Sequence, residues 1–130
     1  MTTLASPSID TGTRLAVDRT RLAYERTMMA WVRTSASLIS FGFTIHKFFQ
    51  FRVQSGDVPA SGRVLGPREF GGILVATGLV ALVLASYDHR RSLEALRASY
   101  GPMPHSVAAT IGIVMGSLGL LALVALVLGL

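Results

Sequence analysis

The feature that most constrains the fold is an uncharged apolar segment at the C-terminal end of the chain. Residues 107–130 contain no Asp, Glu, Lys or Arg in 24 consecutive positions. A helix needs about 20 predominantly apolar residues to cross the hydrocarbon core of a bilayer. This segment is long enough to cross with some tilt, and we predict a transmembrane helix over it.

Two earlier segments complete the predicted membrane domain. The first span is expected over residues 28–51, and the second over residues 70–87, between Glu69 and Asp88. The chain is 51% hydrophobic and has a mean hydropathy of +0.54, which is more apolar than an ordinary soluble domain of this size. The predicted fold class is therefore an all-α membrane protein with three transmembrane helices.

The segments outside the spans are more polar. We predict a disordered tail over residues 1–12, an amphipathic cytoplasmic helix over 13–27, an external loop over 52–69, and a cytoplasmic helix with a hairpin over 88–106. The amphipathic helix is expected to continue without a break into the first span, extending it towards the N-terminus.

A seven-residue pattern repeats four times over residues 11–38. Seven residues make two helical turns, so each repeated residue type stays on one face of a long helix. One face can form a ladder of opposite charges from Arg14, Asp18, Arg21 and Glu25. A second face carries arginines with no acidic residue three or four positions away: Arg19, Arg26 and Arg33. Because guanidinium groups stay charged, these three arginines need an anion from elsewhere.

Three interpretations of these arginines remain open. They can bind lipid phosphates at the cytoplasmic leaflet, at about 1 kcal/mol for each basic residue. They can pair with Asp88, Glu94 or Glu25 of a neighbouring helix, as assembly contacts. In a symmetric oligomer each arginine would form a ring, and rings of arginine select anions.

A homo-oligomer is expected from the heptad pattern and from small residues at helical spacing. Such residues allow another helix to approach closely. The predicted packing residues are Gly72, Ala76, Ala81, Gly112 and Gly116.

The distribution of basic residues predicts the orientation in the membrane. With the N-terminus inside, eight Lys and Arg residues lie on the cytoplasmic side and four lie outside. This excess favours a cytoplasmic N-terminus and an external C-terminus. Tyr24, Trp31 and Lys47 are expected to anchor the first helix at the membrane interfaces.

Residue content argues against several function classes. The absence of cysteine excludes disulfides, thiolate metal sites and cysteine nucleophiles. His89 and His105 have no carboxylates at ligand spacing and make a poor metal site. No nucleophile is accompanied by a base, so we expect neither an enzyme nor a cofactor. The net charge of +5 comes from arginines that flank apolar spans, and we expect no nucleic-acid partner.

The segment Ala23–Thr34, AYERTMMAWVRT, resembles the hallmark of the YidH-like family of small bacterial three-helix membrane proteins. That hallmark is ANERT-x-L-A-W-x-R-T, and here Tyr24 replaces the usual Asn and Met29 the usual Leu. The resemblance implies a bacterial inner-membrane protein, from a family with no agreed activity. We expect a structural or regulatory component of a membrane assembly, with membrane lipids, including anionic head groups, and a membrane protein as candidate partners.

A more distant resemblance, in the ERT segment and the three-span layout, is to the small membrane subunit of the vacuolar transporter chaperone complex. There, such subunits surround a pore taken to pass polyphosphate. The resemblance implies matching basic positions at Arg19, Arg26 and Arg90. Together with Arg33 of the same unpaired row, these are the predicted anion or phosphate contacts. The alternative function is an oligomeric anion or polyphosphate conduit lined by arginine rings.

Overall fold

The computed structural model describes residues 9–56 and 66–130, where every regular element is an α-helix. The helices are α1 (Thr11–Gln54), α2 (Pro67–Tyr100) and α3 (Val107–Leu128). The all-helical fold predicted from the sequence is therefore confirmed. Most of the predicted tail, residues 1–8, and the centre of the predicted external loop, residues 57–65, lie outside the described residues.

Two of the helices, α2 and α3, are long and apolar enough to cross a membrane. Their most apolar segments have mean hydropathies of 2.0 and 2.7, and only 22% and 11% of those segments are buried. A core helix of a soluble protein would be mostly buried, so these exposed apolar surfaces fit a membrane protein. α1 is long enough but contains no equally apolar segment, because Arg33, Lys47 and several Ser and Thr residues lower its mean hydropathy.

α1 and α2 pack antiparallel along one seam. On α1 the buried residues alternate in steps of four and three: Met28, Val32, Ser35, Ile39, Gly42 and His46. This is the spacing of the contact positions in a coiled coil. The matching buried residues of α2 are Gly71, Val75, Gly78, Leu82, His89 and Leu93. The heptad that repeats in the N-terminal sequence thus continues as the packing seam of α1.

Glycines set the distance between α1 and α2. A Cβ added to Gly42 would lie 2.6 Å from the carbonyl oxygen of Gly71, and one added to Gly71 would lie 2.5 Å from the carbonyl oxygen of Gly42. A Cβ on Gly78 would lie 3.0 Å from the carbonyl oxygen of Ser35. Because these obstacles are backbone atoms, which cannot rotate away, only glycine permits such a close approach.

α3 runs antiparallel to α2 and packs on both other helices through two glycines. A Cβ on Gly112 would lie 2.8 Å from Met28 Cε of α1. One on Gly119 would lie 2.7 Å from Leu79 Cδ2 of α2 and 2.8 Å from Ile39 Cδ1 of α1. Gly116 is looser, with 3.6 Å to Leu82 Cδ2. The two tightly packed glycines, Gly112 and Gly119, are therefore seven residues apart. The apolar core beside the start of α3 consists of Met28, Val32, Leu82 and Ala108.

Candidate functional site

A polar cluster of Glu25, His89 and Ser106 joins the three helices at the end of the bundle where α3 begins. Glu25 Oε2 accepts a hydrogen bond of 3.1 Å from the backbone N–H of Ala108. Ser106 Oγ accepts one of 3.1 Å from the backbone N–H of Ala109. His89 Nε2 lies within hydrogen-bond distance of Ser106 Oγ, at 2.9 Å, and 3.9 Å from Glu25 Oε1. Side chains from α1 and α2 therefore meet the N-cap of α3.

The cluster stabilises the beginning of α3. The first N–H groups of a helix have no partner within the helix, and the helix dipole favours a negative charge there. Ala108 is only 1% exposed, so its N–H has no access to water and depends on the Glu25 carboxylate. Leaving such a buried donor unsatisfied costs about 1–3 kcal/mol. His89 is also buried, at 5% exposed, and its Nε2 has the Ser106 hydroxyl as its hydrogen-bond partner.

This arrangement corrects the charge ladder predicted on α1. The ladder residues continue the heptad spacing of the seam, and three of them line a cavity of about 340 Å³ beside Tyr100: Arg14, Asp18 and Arg21. Within residues 9–56 and 66–130, none of the ladder arginines has a carboxylate within 4.0 Å. Glu25 interacts with α3 instead of Arg21, because the start of α3 offers it a buried hydrogen-bond donor.

Arg19, Arg26 and Arg33 are exposed on the side of α1 that faces away from the seam, which we call the arginine face. At about 100° per residue, the three positions lie roughly 140° to 180° from the centre of the seam. In the part of the chain that the structure describes, none of them has a carboxylate within 4.0 Å or a hydrogen-bond partner. The exposed alanines Ala23 and Ala30 lie beside them and leave their guanidinium groups open to an approaching group.

The arginine face continues towards the C-terminal end of α1 as a hydroxyl-bearing surface. Ser37 and Thr44 are exposed, and their hydroxyls donate to the carbonyl oxygens of Arg33 and Ser40 at 3.0 and 2.8 Å. Large apolar side chains are also exposed on this side of α1, among them Leu15, Phe41 and Phe48. The outward faces of α2 and α3 expose mainly large apolar side chains: Val80, Val83, Leu84, Val114, Leu118 and Leu121. Because the outward surface of α1 also carries arginines and hydroxyls, it is more polar than that of the other two helices.

The structure does not bring Arg90 to the arginine face. Arg90 is exposed on α2 and lines a groove between α2 and α3. The half-buried Tyr24 and Trp31, 46% exposed, line another cavity of about 360 Å³ between α1 and α2, together with Asp88. Lys47 is half-buried and donates to Gln50 Oε1 at 3.3 Å. Four predicted packing residues are also half-buried: Gly72, Ala76, Ala81 and Gly116.

Sequence reasoning missed the polar cluster. The sequence carries a signal for Ser106, because a serine directly before an apolar helix is a typical N-cap. His89 was considered only as a metal ligand, and no group of three or more His, Asp or Glu residues that could hold a metal ion occurs among the described residues. Glu25 has no comparable signal, since its partner Ala108 is 83 positions away.

A three-helix bundle with two apolar helices exposed along their length is the architecture expected of a small membrane protein. The chain belongs to the family described as Domain of unknown function (DUF202), whose family model matches residues 19–95. The match begins at Arg19, includes the AYERTMMAWVRT segment and extends through most of α2, and it confirms the predicted YidH-like membership. No curated protein and no solved structure matches the chain.

Proposed function

We propose that this chain is a three-span protein of the bacterial inner membrane, with a cytoplasmic N-terminus and an external C-terminus. We propose further that it is a structural or regulatory component of a membrane assembly. The observation that carries this proposal is the contrast between the arginine face and the apolar outward faces of α2 and α3. The apolar faces suit lipid, and the arginine face suits a protein neighbour.

The packing of α1 supports its assignment as a membrane span in addition to α2 and α3. Its buried seam, residues 28–46, runs along the apolar part of α2. At about 1.5 Å per residue this seam is about 27 Å long, close to the roughly 30 Å of the hydrocarbon core. If α2 crosses the bilayer, the packed part of α1 lies at the same depth.

The free-energy cost of exposing Arg33 of α1 to lipid supports a neighbouring protein beside this helix. An arginine at the centre of a membrane helix costs about 2.5–3.5 kcal/mol, and less near the interface. Arg33 lies on the outward face, so a second protein surface there would spare it much of that contact with hydrocarbon. Carboxylates of a neighbouring subunit would also neutralise the unpaired guanidinium groups of Arg19 and Arg26.

The proposal is tested by reversing a charge on the arginine face. The Arg26→Glu variant is compared with Arg91→Glu, which makes the same charge change on an exposed residue of α2. The mass of the complex is measured by native mass spectrometry after extraction in mild detergent. We expect Arg26→Glu to remain in the membrane fraction but to lose its complex, and Arg91→Glu to keep it. A monomeric wild type, or an intact complex in both variants, would contradict the proposal.

The second candidate function is an oligomeric anion or polyphosphate conduit. Its specific support is a row of three exposed arginines, about 10 Å apart along α1, that have no carboxylate within 4.0 Å among the described residues. The sequence resemblance to the vacuolar transporter chaperone subunit suggested this candidate, and the comparisons with known proteins do not confirm that resemblance. For a conduit, Arg26→Glu should abolish anion flux in liposomes while the complex keeps its mass. Absence of flux through the reconstituted wild type would remove this candidate.

A further inference from the structure

We propose that the groove between α2 and α3 binds one anionic phospholipid, with an acyl chain along the groove and the phosphate at Arg90. The proposal rests on the membrane location proposed above. The groove has a volume of about 460 Å³ and an almost entirely apolar lining, with Arg90 at one end and Leu79 and Leu120 at the other. One charged end and one apolar end are the chemistry of a lipid.

Glycines form the floor of this groove. Gly112 and Gly116 line it on α3, and neither places a side chain in it. Gly116 makes only an ordinary contact with α2, since a Cβ there would lie 3.6 Å from Leu82 Cδ2. The walls are the apolar side chains of Val83 and Ile113, which are 65% and 57% exposed. The missing side chain of Gly116 thus leaves an open channel between two apolar walls, whereas a Cβ on Gly112 would point at Met28 of α1.

The length of the groove matches one leaflet of a bilayer. Its lining on α2 extends from Leu79 to Arg90, which at about 1.5 Å per residue corresponds to about 16 Å. This is about half of the roughly 30 Å hydrocarbon thickness. An acyl chain that starts at the headgroup level near Arg90 would therefore reach the bilayer midplane near the apolar end of the groove.

The positive charge of Arg90 at one end of the groove favours an anionic headgroup. Arg90 is exposed and follows the apolar part of α2 after Asp88 and His89, and among the described residues no carboxylate lies within 4.0 Å of it. A guanidinium binds phosphate oxygens in a forked geometry. Ser86 and Tyr87 add polar groups at the same end. An apolar helix from a second copy could fill the channel, but it would leave the Arg90 charge without an anion.

Native mass spectrometry of the purified full chain tests this site with phosphatidylglycerol and phosphatidylcholine of identical acyl chains. We expect one retained phosphatidylglycerol per chain and much weaker retention of phosphatidylcholine. Arg90→Gln should weaken phosphatidylglycerol binding about tenfold or more, since a hydrogen bond to a charged group contributes about 1.5–3 kcal/mol. The control Arg91→Gln removes the same charge one position away, about 100° around the helix, and should bind normally.

A second pair of variants tests the channel. Gly116→Leu fills the groove and should abolish retention, while Val114→Leu, on the exposed outer face of α3, should not. Circular dichroism checks that each variant is folded. If Gly116→Leu does not fold, the surface change Arg90→Gln still tests the lipid site.

Equal retention of both lipids would overturn the lipid site. Equal binding by Arg90→Gln and Arg91→Gln, or a dimer that Gly116→Leu dissociates, would overturn it as well. Inorganic phosphate that competes fully with the lipid would also overturn it, because the acyl chain would then contribute nothing. The lipid-retention and phosphate-competition results do not bear on the Arg26→Glu assembly test, so the two proposals can fail separately.

Discussion

The closest contact between α1 and α2 makes a sharp prediction for Gly71→Ala. The new Cβ would lie 2.5 Å from the carbonyl oxygen of Gly42 and 2.8 Å from the backbone nitrogen of His46, whereas ordinary contact begins at 3.4 Å. Both obstacles are backbone atoms, so the helices must separate by about 0.9 Å, the difference between 3.4 and 2.5 Å. The separation would loosen the seam on both sides of this point.

The magnitude follows from two opposing terms. Overpacking costs about 1–3 kcal/mol, and rigid obstacles on both sides place this site near the upper end. Replacing a helical glycine by alanine recovers about 1 kcal/mol of helix propensity. Gly71→Ala should therefore lower the free energy of unfolding by about 2 kcal/mol. The neighbouring Gly72→Ala meets only Leu126 Cδ2, at 3.5 Å, and should be neutral or stabilising by up to about 1 kcal/mol.

The two variants are compared by circular dichroism during denaturation with sodium dodecyl sulfate in mixed micelles. The adjacent substitutions should differ by about 2–3 kcal/mol, with Gly71→Ala the less stable. Equal stabilities would refute the reasoning, because the α1–α2 distance would then not depend on glycine at this position.

Two further predictions concern the end of the bundle where α3 begins. Glu25→Ala removes the acceptor of the buried Ala108 N–H and should lower the free energy of unfolding by about 1–3 kcal/mol in the same assay. Glu25→Gln keeps an acceptor and should cost less. Equal losses in the two variants would contradict this interpretation of the contact. Met28→Ala leaves a cavity where a 2% exposed side chain packs on Gly112, and should cost about 2–5 kcal/mol, whereas a loss below about 1 kcal/mol would mean that the core collapses into the space.

The helical content was predictable because it depends on properties that one segment carries by itself. The charge-free C-terminal segment and the heptad repeat identify helices from length and periodicity alone, and the AYERTMMAWVRT segment identifies the family. Arg90 was predicted only from the distant resemblance. Helical spacing alone was enough to predict that Arg19, Arg26 and Arg33 lack acidic partners on α1. Their exposure also follows from that spacing, once the seam is known to lie on the opposite side.

Contacts between helices could not be predicted in the same way. Spacing on one helix selected Gly72, Gly112 and Gly116, of which only Gly112 is tightly packed. Other close approaches involve Gly71 and Gly119, because the partner helix decides which glycine is needed. Glu25 was assigned to a ladder along α1 for the same reason. Its actual partner belongs to α3, and no periodicity within α1 reports where that helix begins.

The central claim is that the arginine face meets another protein while the outward faces of α2 and α3 meet lipid. Site-specific photo-crosslinking in native membranes tests it most directly, with the reactive side chain placed either at Ala30, beside Arg26 and Arg33, or at Val83 on α2. We predict protein adducts from Ala30 and only lipid adducts from Val83. Lipid adducts alone from both positions would contradict the claim.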